Sequence, residues 1–225
     1  EVEIPYWRLD INIEEDLIEE VARMYGYEKI PSKKLEGKLP EKIDQSLQDL
    51  IYKLKESLCK NGLTEIQSYS FYSTQTLKAL GWTQELSEKH LVKIANPISS
   101  ETEYMRQNIW PNLVDIVEKN IRQGFKDIAI FEIGKVYWIG KNGLPDENYR
   151  LSIALMDSSD NPIPETLAIF EKVAKDLKLD IKWVSNPATN GHRLFHPVRH
   201  LNLFKDSKPI GDMAEVHPRV LHQYG

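Results

Sequence analysis

IAIFEIGKVYWIGKNGLPDENYRLSIALMD, Ile128 to Asp157, decides the fold class. Two runs rich in isoleucine, leucine and aromatic residues flank KNGLPDEN, whose Asn-Gly and Pro-Asp pairs are turn chemistry, so the stretch reads as two strands folded back on each other. Consecutive strands joined by a short turn pair antiparallel, whereas parallel pairing needs a long crossover. IKWV, HLNLFK and PIGDMAEV read as further strands, the last two forming a hairpin over DSK.

Helical periodicity appears between these strands. From Glu41 to Asn61 a long amphipathic pattern places Ile43, Leu47, Leu50, Ile51, Leu54 and Leu58 on one face, and Asn61-Gly62 ends it. TEIQSYSFYS alternates Ile66, Ser68 and Ser70 against Gln67, Tyr69 and Phe71 as a strand does. A short helix over Gln75–Leu80, a strand near Leu91–Ala95 and a turn at NPISSE follow. Asn108–Gln123 predicts a second long helix with Pro111 in its first turn, and Pro164–Leu177 a third. Helices interspersed with hairpin-linked strands, without repeating βαβ units, imply an α+β fold with a mostly antiparallel sheet.

The bulk numbers narrow the function classes. With 225 residues, 41% of them hydrophobic and 28% charged, the chain has the profile of a soluble globular protein of one large or two small domains. Its longest apolar runs fall far short of the ~20 residues that cross a bilayer. A net charge of -5 argues against a nucleic-acid clamp built on a basic stripe, although a local basic patch stays open. A single cysteine, Cys59, excludes an internal disulfide framework and fits a reducing cytosol; its place near the apolar face of the Glu41–Asn61 helix predicts a buried structural thiol. No methionine opens the chain and no signal-peptide pattern is visible, so a piece of a longer polypeptide is expected.

The search for chemistry returns mostly negatives. There is no GxxxxGK[ST] or GxGxxG phosphate loop, no CxxC pair or HExxH for zinc, and no GxSxG nucleophile elbow. His192, His196, His200, His217 and His222 gather late, but His196 and His200 would share a face only on a helix. The two His-Pro pairs, His196-Pro197 and His217-Pro218, read instead as strand-to-turn junctions.

The sharpest local signal is PYWRLDINIEEDLIEEVARMYGYEKIP, Pro5 to Pro31. An opening strand leads into a helix expected to be capped by Asn12 with Glu15 three residues later, striped by Leu17, Ile18, Val21, Met24 and Tyr25, and stopped by Gly26. Asp16, Glu19 and Glu20 stand at i, i+3 and i+4, and Asp10 just before the helix can fold back toward them. Hard oxygen donors in this number suit Mg²⁺. Acidic residues near a helix N-terminus are also favoured by the helix dipole, and Glu19 and Glu20 can pair with Arg23, so spacing alone favours a capped helix with a solvated acidic face over a metal site. PSKKLEGKLP, Pro31 to Pro40, is the candidate domain boundary.

WRLDI, EEDLIEEVARMYGY and KIP resemble the end of the B-five module in the β subunits of bacterial phenylalanyl-tRNA synthetases. In the same order, GLTEIQSYSF, NPISSETEYMRQNIWPNLVDIVEKNIRQ, IAIFEIGKVYW, FHPVR and IGDMAEVHPRVL resemble the catalytic-like module that follows in that family. The resemblance spans nearly the whole chain. It implies residues 1–36 as the carboxy-terminal part of a B-five module, partly helical and winged-helix-like, and residues 37–225 as a catalytic-like module with the class II synthetase fold, an antiparallel sheet flanked by helices. It also implies an α₂β₂ enzyme, in the cytoplasm, whose α subunit handles ATP and aminoacylates tRNA(Phe), while this module has no catalytic residues of its own. In such a fold the helix Glu41–Asn61 takes the place of the class II dimerisation motif, and a purely internal core helix fits its pattern as well.

The resemblance gives the carboxylates a role. It implies a Mg²⁺ site shared with the α subunit at Asp10, Asp16, Glu19 and Glu20. The segment between LSIALMD and FHPVR departs from the family pattern in lacking a Trp-centred motif. Two competing readings are a catalytic adenylate-forming domain and a nucleic-acid-binding module. The first needs an arginine on the strand of the second class II motif to hold a phosphate, and none is evident in IAIFEIGKVYW.

Overall fold

A computed structural model of the chain describes residues 2–38, 43–99, 102–141, 143–157, 161–185 and 194–223. It divides into two units, Glu1–Asp44 and Gln45–Gly225.

In the first unit, helix α1 (Glu14–Tyr25) is followed by a short 3-10 turn, Tyr27–Lys29. The helix begins one residue later than the sequence suggests. Ile13 is the extended N-cap, and the Asp16 carboxylate accepts hydrogen bonds from the Ile13 N–H at 3.0 Å and the Asn12 N–H at 2.8 Å. Asn12 is not the cap because its side-chain amide donates to the Leu9 carbonyl. Gly26 closes the helix as expected, at φ 101°, where a side chain would be strained. The opening strand expected before α1 does not form among the described residues. No residue of α1 is buried, and Leu17, Ile18, Val21, Ala22, Tyr25 and Ile30 line an open apolar groove.

The second unit is built around one long hairpin. In chain order it contains α2 (Ser46–Lys60), β1 (Thr64–Glu65), β2 (Phe71–Tyr72), α3 (Thr74–Ala79), α4 (Gln84–His90), β3 (Tyr104–Met105) and α5 (Trp110–Arg122). Then come β4 (Ile128–Trp138), β5 (Asp146–Met156), α6 (Ile163–Asp176), β6 (Lys182–Ser185), β7 (Phe195–Lys205), β8 (Lys208–Val216) and α7 (Pro218–Leu221). The β4–β5 hairpin pairs antiparallel from Ile128 opposite Met156 to Trp138 opposite Asp146, and β1 joins β4 in parallel. A second antiparallel sheet runs β6-β7-β8, and β2 pairs with β3. The class is α+β with mixed and antiparallel sheets, as the hairpin-linked strands imply.

The two-residue period of β4 sorts its side chains onto two cores. Phe131, with Ala129 and Ile133 on the same face, packs against Leu54, Leu58, Val173 and Ile169 from α2 and α6. Ile128, Ile130 and Val136 face the other way, onto Leu113, Ile116 and Val117 of α5. Ser57 ties α2 to α6 through a 2.6 Å hydrogen bond from its hydroxyl to Asp176. The carboxy-terminal half of α2 is therefore internal, whereas Leu47 and Leu50 in its first turns are exposed.

Several expectations need correction. Helix α2 starts at Ser46; Glu41 and Lys42 lie outside the described residues, and 43–45 are not helical. TEIQSYSFYS is not one strand: it splits into β1 and β2, because the Ser68 hydroxyl and N–H turn toward Glu132 instead of extending a ladder. Leu91–Ala95 supplies only a single bridge from Lys93 to Tyr104. Cys59 is exposed, not buried, since its neighbour Leu58 takes the inward position of that turn. The DSK hairpin forms with Asp206 and Ser207 both at positive φ, 49° and 63°, the backbone of a tight primed turn.

Candidate functional site

The four acidic residues singled out by the sequence lie in the first unit, and two of them, Asp10 and Glu20, share Arg8. Arg8 grips Asp10 through Nε to Oδ1 at 2.9 Å and Nη2 to Oδ2 at 2.6 Å. The same Nη2 reaches Glu20 Oε1 at 2.6 Å across α1, so one guanidinium joins the segment before the helix to its second turn. Glu20 Oε2 also pairs with Arg23, three residues on. Asp16 is turned to the backbone N–H groups of Asn12 and Ile13, and Glu19 is exposed on the helix.

These contacts set the electrostatics. The Arg8 hydrogen bonds, followed by a backbone hydrogen bond, hold the Asp10 carboxyl at about 2, below its ordinary 3.8. Glu20 is lowered by Arg8 and then Arg23, and Arg8 itself is raised by Asp10 and Glu20. The donors are hard oxygens of the kind magnesium takes. Their arrangement does not fit the ion: Arg8 occupies the space between Asp10 and Glu20, and no three His, Cys, Asp or Glu side chains are gathered for a metal among the described residues.

The second unit holds a polar cluster that sequence reading missed. Arg106 and Glu132 are each 2% exposed and paired at 2.8 Å, on the α5-facing side of β4. Ser68 closes the set: Arg106 Nη1 donates to its hydroxyl at 2.9 Å, and that hydroxyl donates to Glu132 Oε2 at 2.6 Å. Arg106 Nε donates to the Lys135 carbonyl at 3.0 Å. Gly134 leaves the room, since a Cβ there would stand 2.4 Å from Arg106 Nη2. The available signal was a lone glutamate inside the apolar run IAIFEIG with a glycine two residues on, the same face one pleat further.

Nearby, a cavity of about 550 Å³ opens between α5 and β7-β8, with Trp82, Trp110 and Phe195 as apolar walls and Arg150, His200 and Asp212 as its charged or titratable groups. The Trp110 and Phe195 rings meet at a tilt of 53° with centroids 5.0 Å apart, the Arg150 guanidinium lies 5.6 Å from the Trp138 ring, and His200 Nε2 is 3.7 Å from Asp212. Two other histidines carry structural duties. His196 Nδ1 accepts from the N–H groups of Val198 and Arg199, and His217 Nδ1 accepts from Arg219 N–H as the cap of α7. His217-Pro218 stands at the end of β8, as expected of a strand junction, whereas His196-Pro197 lies inside β7, at the irregularity in its register between Phe195 and His200; His192 lies outside the described residues.

Comparison with known proteins finds two family models along the chain. Residues 30–225 match the family model described as the phenylalanyl tRNA synthetase beta chain CLM domain, and residues 1–27 match the tRNA synthetase B5 domain. Among curated relatives, a phenylalanine–tRNA ligase beta subunit from Rickettsia bellii is 35% identical over 98% of this chain and 25% of its own length. One from Dechloromonas aromatica is 28% identical over 98% of this chain and 28% of its own. The chain therefore spans about a quarter of the length of these relatives. Among solved structures, the pyrrolysyl tRNA synthetase PylSc of Desulfitobacterium hafniense superposes with a TM-score of 0.62 at 16% identity, covering 80% of this chain and 62% of that one. That likeness is one of fold, the class II synthetase architecture.

Proposed function

From the premise that the chain belongs to the phenylalanyl-tRNA synthetase β-chain family, we propose that it is a non-catalytic module supporting an α₂β₂ enzyme. In that enzyme the α subunit binds ATP and charges tRNA(Phe), in the cytoplasm, and residues 1–36 and 37–225 are the end of the B5 module and the catalytic-like module. The observation that carries this reading is the CLM-domain match over residues 30–225. Among the described residues no helix is long and apolar enough to cross a membrane.

The test is phenylalanine-dependent ATP–pyrophosphate exchange by the full-length β chain, with and without its α partner. The β chain alone should give no exchange and should co-purify with the α chain, which restores it. Exchange by the β chain alone overturns the proposal. Magnesium at Asp10, Asp16, Glu19 and Glu20 belongs to the same proposal for the assembled enzyme, and it requires the side chains to leave the arrangement described above.

A further inference from the structure

We infer that Arg8 is a tethered counter-cation that occupies the carboxylate cluster in place of a metal, so that a divalent cation enters only by displacing it. The inference rests on the magnesium reading proposed above and concerns the residue that opposes it.

Arg8 links Asp10, in the segment before α1, to Glu20 on the helix. Its Nε and Nη2 engage both oxygens of Asp10, and Nη2 also engages Glu20 Oε1, all between 2.6 and 2.9 Å. The other Glu20 oxygen is paired with Arg23. Hydrogen bonds within the described residues therefore engage all four oxygens of Asp10 and Glu20. A magnesium ion needs its oxygens at about 2.0–2.1 Å in near-octahedral array. The guanidinium cannot donate along the same lone pairs while the ion sits on them, and two cations sharing one carboxylate edge repel. Occupation by Arg8 and by metal are thus alternatives at Asp10 and Glu20. The charge is already neutralised from inside the chain, and the apparent metal affinity is reduced by the fraction of molecules in which Arg8 has let go.

The experiment is calorimetric titration of MgCl₂ into the full-length β chain together with its α partner, without ATP, for wild type, Arg8→Gln, Arg8→Lys and Glu19→Gln. Glu19→Gln identifies the site, because Glu19 is exposed and does not cap the helix. Arg8→Gln should bind about tenfold more tightly than wild type, the scale of two partly screened ion pairs. Arg8→Lys, which keeps the charge but loses the fork, should fall between them. A site in Arg8→Gln where wild type shows none supports the inference most strongly. A wild-type site that Arg8→Gln leaves unchanged or weakens overturns it while the magnesium reading stands. Absence of a Glu19-dependent site in every variant overturns both. Should Arg8→Gln melt at a lower temperature in metal-free buffer, the Arg8→Lys comparison decides alone.

Discussion

Asp10 and Arg106 sit at opposite extremes of solvation, and their ion pairs should behave differently. The Asp10–Arg8 pair is solvent-exposed, so its clearest signature is a titration and not a stability change. A carboxyl whose folded value is depressed contributes stability that is present above its ordinary value and lost as pH falls through the folded one. Here that window runs from 3.8 down to about 2. Carboxyl-carbon NMR of the labelled chain should place the Asp10 midpoint near the lower figure and move it up in Arg8→Gln; a wild-type midpoint at the ordinary value refutes the pairing. Arg106 and Glu132 are desolvated, so removing one charge strands the other. Glu132→Gln should cost about 3 kcal/mol in urea unfolding, whereas the double replacement Arg106→Met with Glu132→Leu should return to within about 1 kcal/mol of wild type. Gly134→Ala forces the Arg106 guanidinium off Glu132 and the Lys135 carbonyl, and should cost a similar amount, about 3 kcal/mol. The Arg106–Glu132 pair could not be read from the sequence in advance, because its members are 26 positions apart and meet only where the chain after β3 runs beside β4, with the Arg106 carbonyl accepting from the Tyr137 N–H.

At the scale of elements, the helix α2 shows how periodicity predicts a face but not what covers it. Leu54 and Leu58 repeat at four and pack with Phe131 and Val173, while Cys59, one residue round the turn, points to solvent. Leu58→Ala should cost about 3 kcal/mol and Phe131→Ala about 4 kcal/mol, while Cys59→Ser should stay within about 0.5 kcal/mol, all by urea denaturation. Equal effects of Leu58→Ala and Cys59→Ser would refute the packing. The long elements α2, α5, β4, β5 and α6 were legible because each repeats its period several times. The two-residue strands β1, β2 and β3 were not, since such lengths carry no period. Helix α4 escaped for a related reason: Gln84–His90 is polar nearly throughout and is marked mainly by Thr83, whose hydroxyl accepts from the Leu86 N–H.

For the whole molecule, the two units differ in kind. The second closes cores on both faces of the β4–β5 hairpin, whereas the first has no buried residue in its helix. A single domain core supplies most of the cooperativity of unfolding, so the major urea transition should report Gln45–Gly225. Asp16→Ala, which removes the acceptor for two backbone N–H groups of the first unit, should leave the midpoint of that transition unchanged and lower only the helical signal of α1. Circular dichroism with limited proteolysis separates the two, and a shifted main midpoint would show the units to be coupled. By itself the sequence determined the α+β class, the long helices and strands, the Gly26 stop, the acidic residues worth attention and the family, since each depends on local periodicity, local turn chemistry or an ordered string of motifs. Only the tertiary structure decided that Arg8 lies among the carboxylates, that Glu132 is matched by Arg106 across Ser68 and Gly134, and that Cys59 faces out. Those outcomes depend on which distant side chains meet, and burial then fixes whether a charge is screened by water or must find a partner inside the fold.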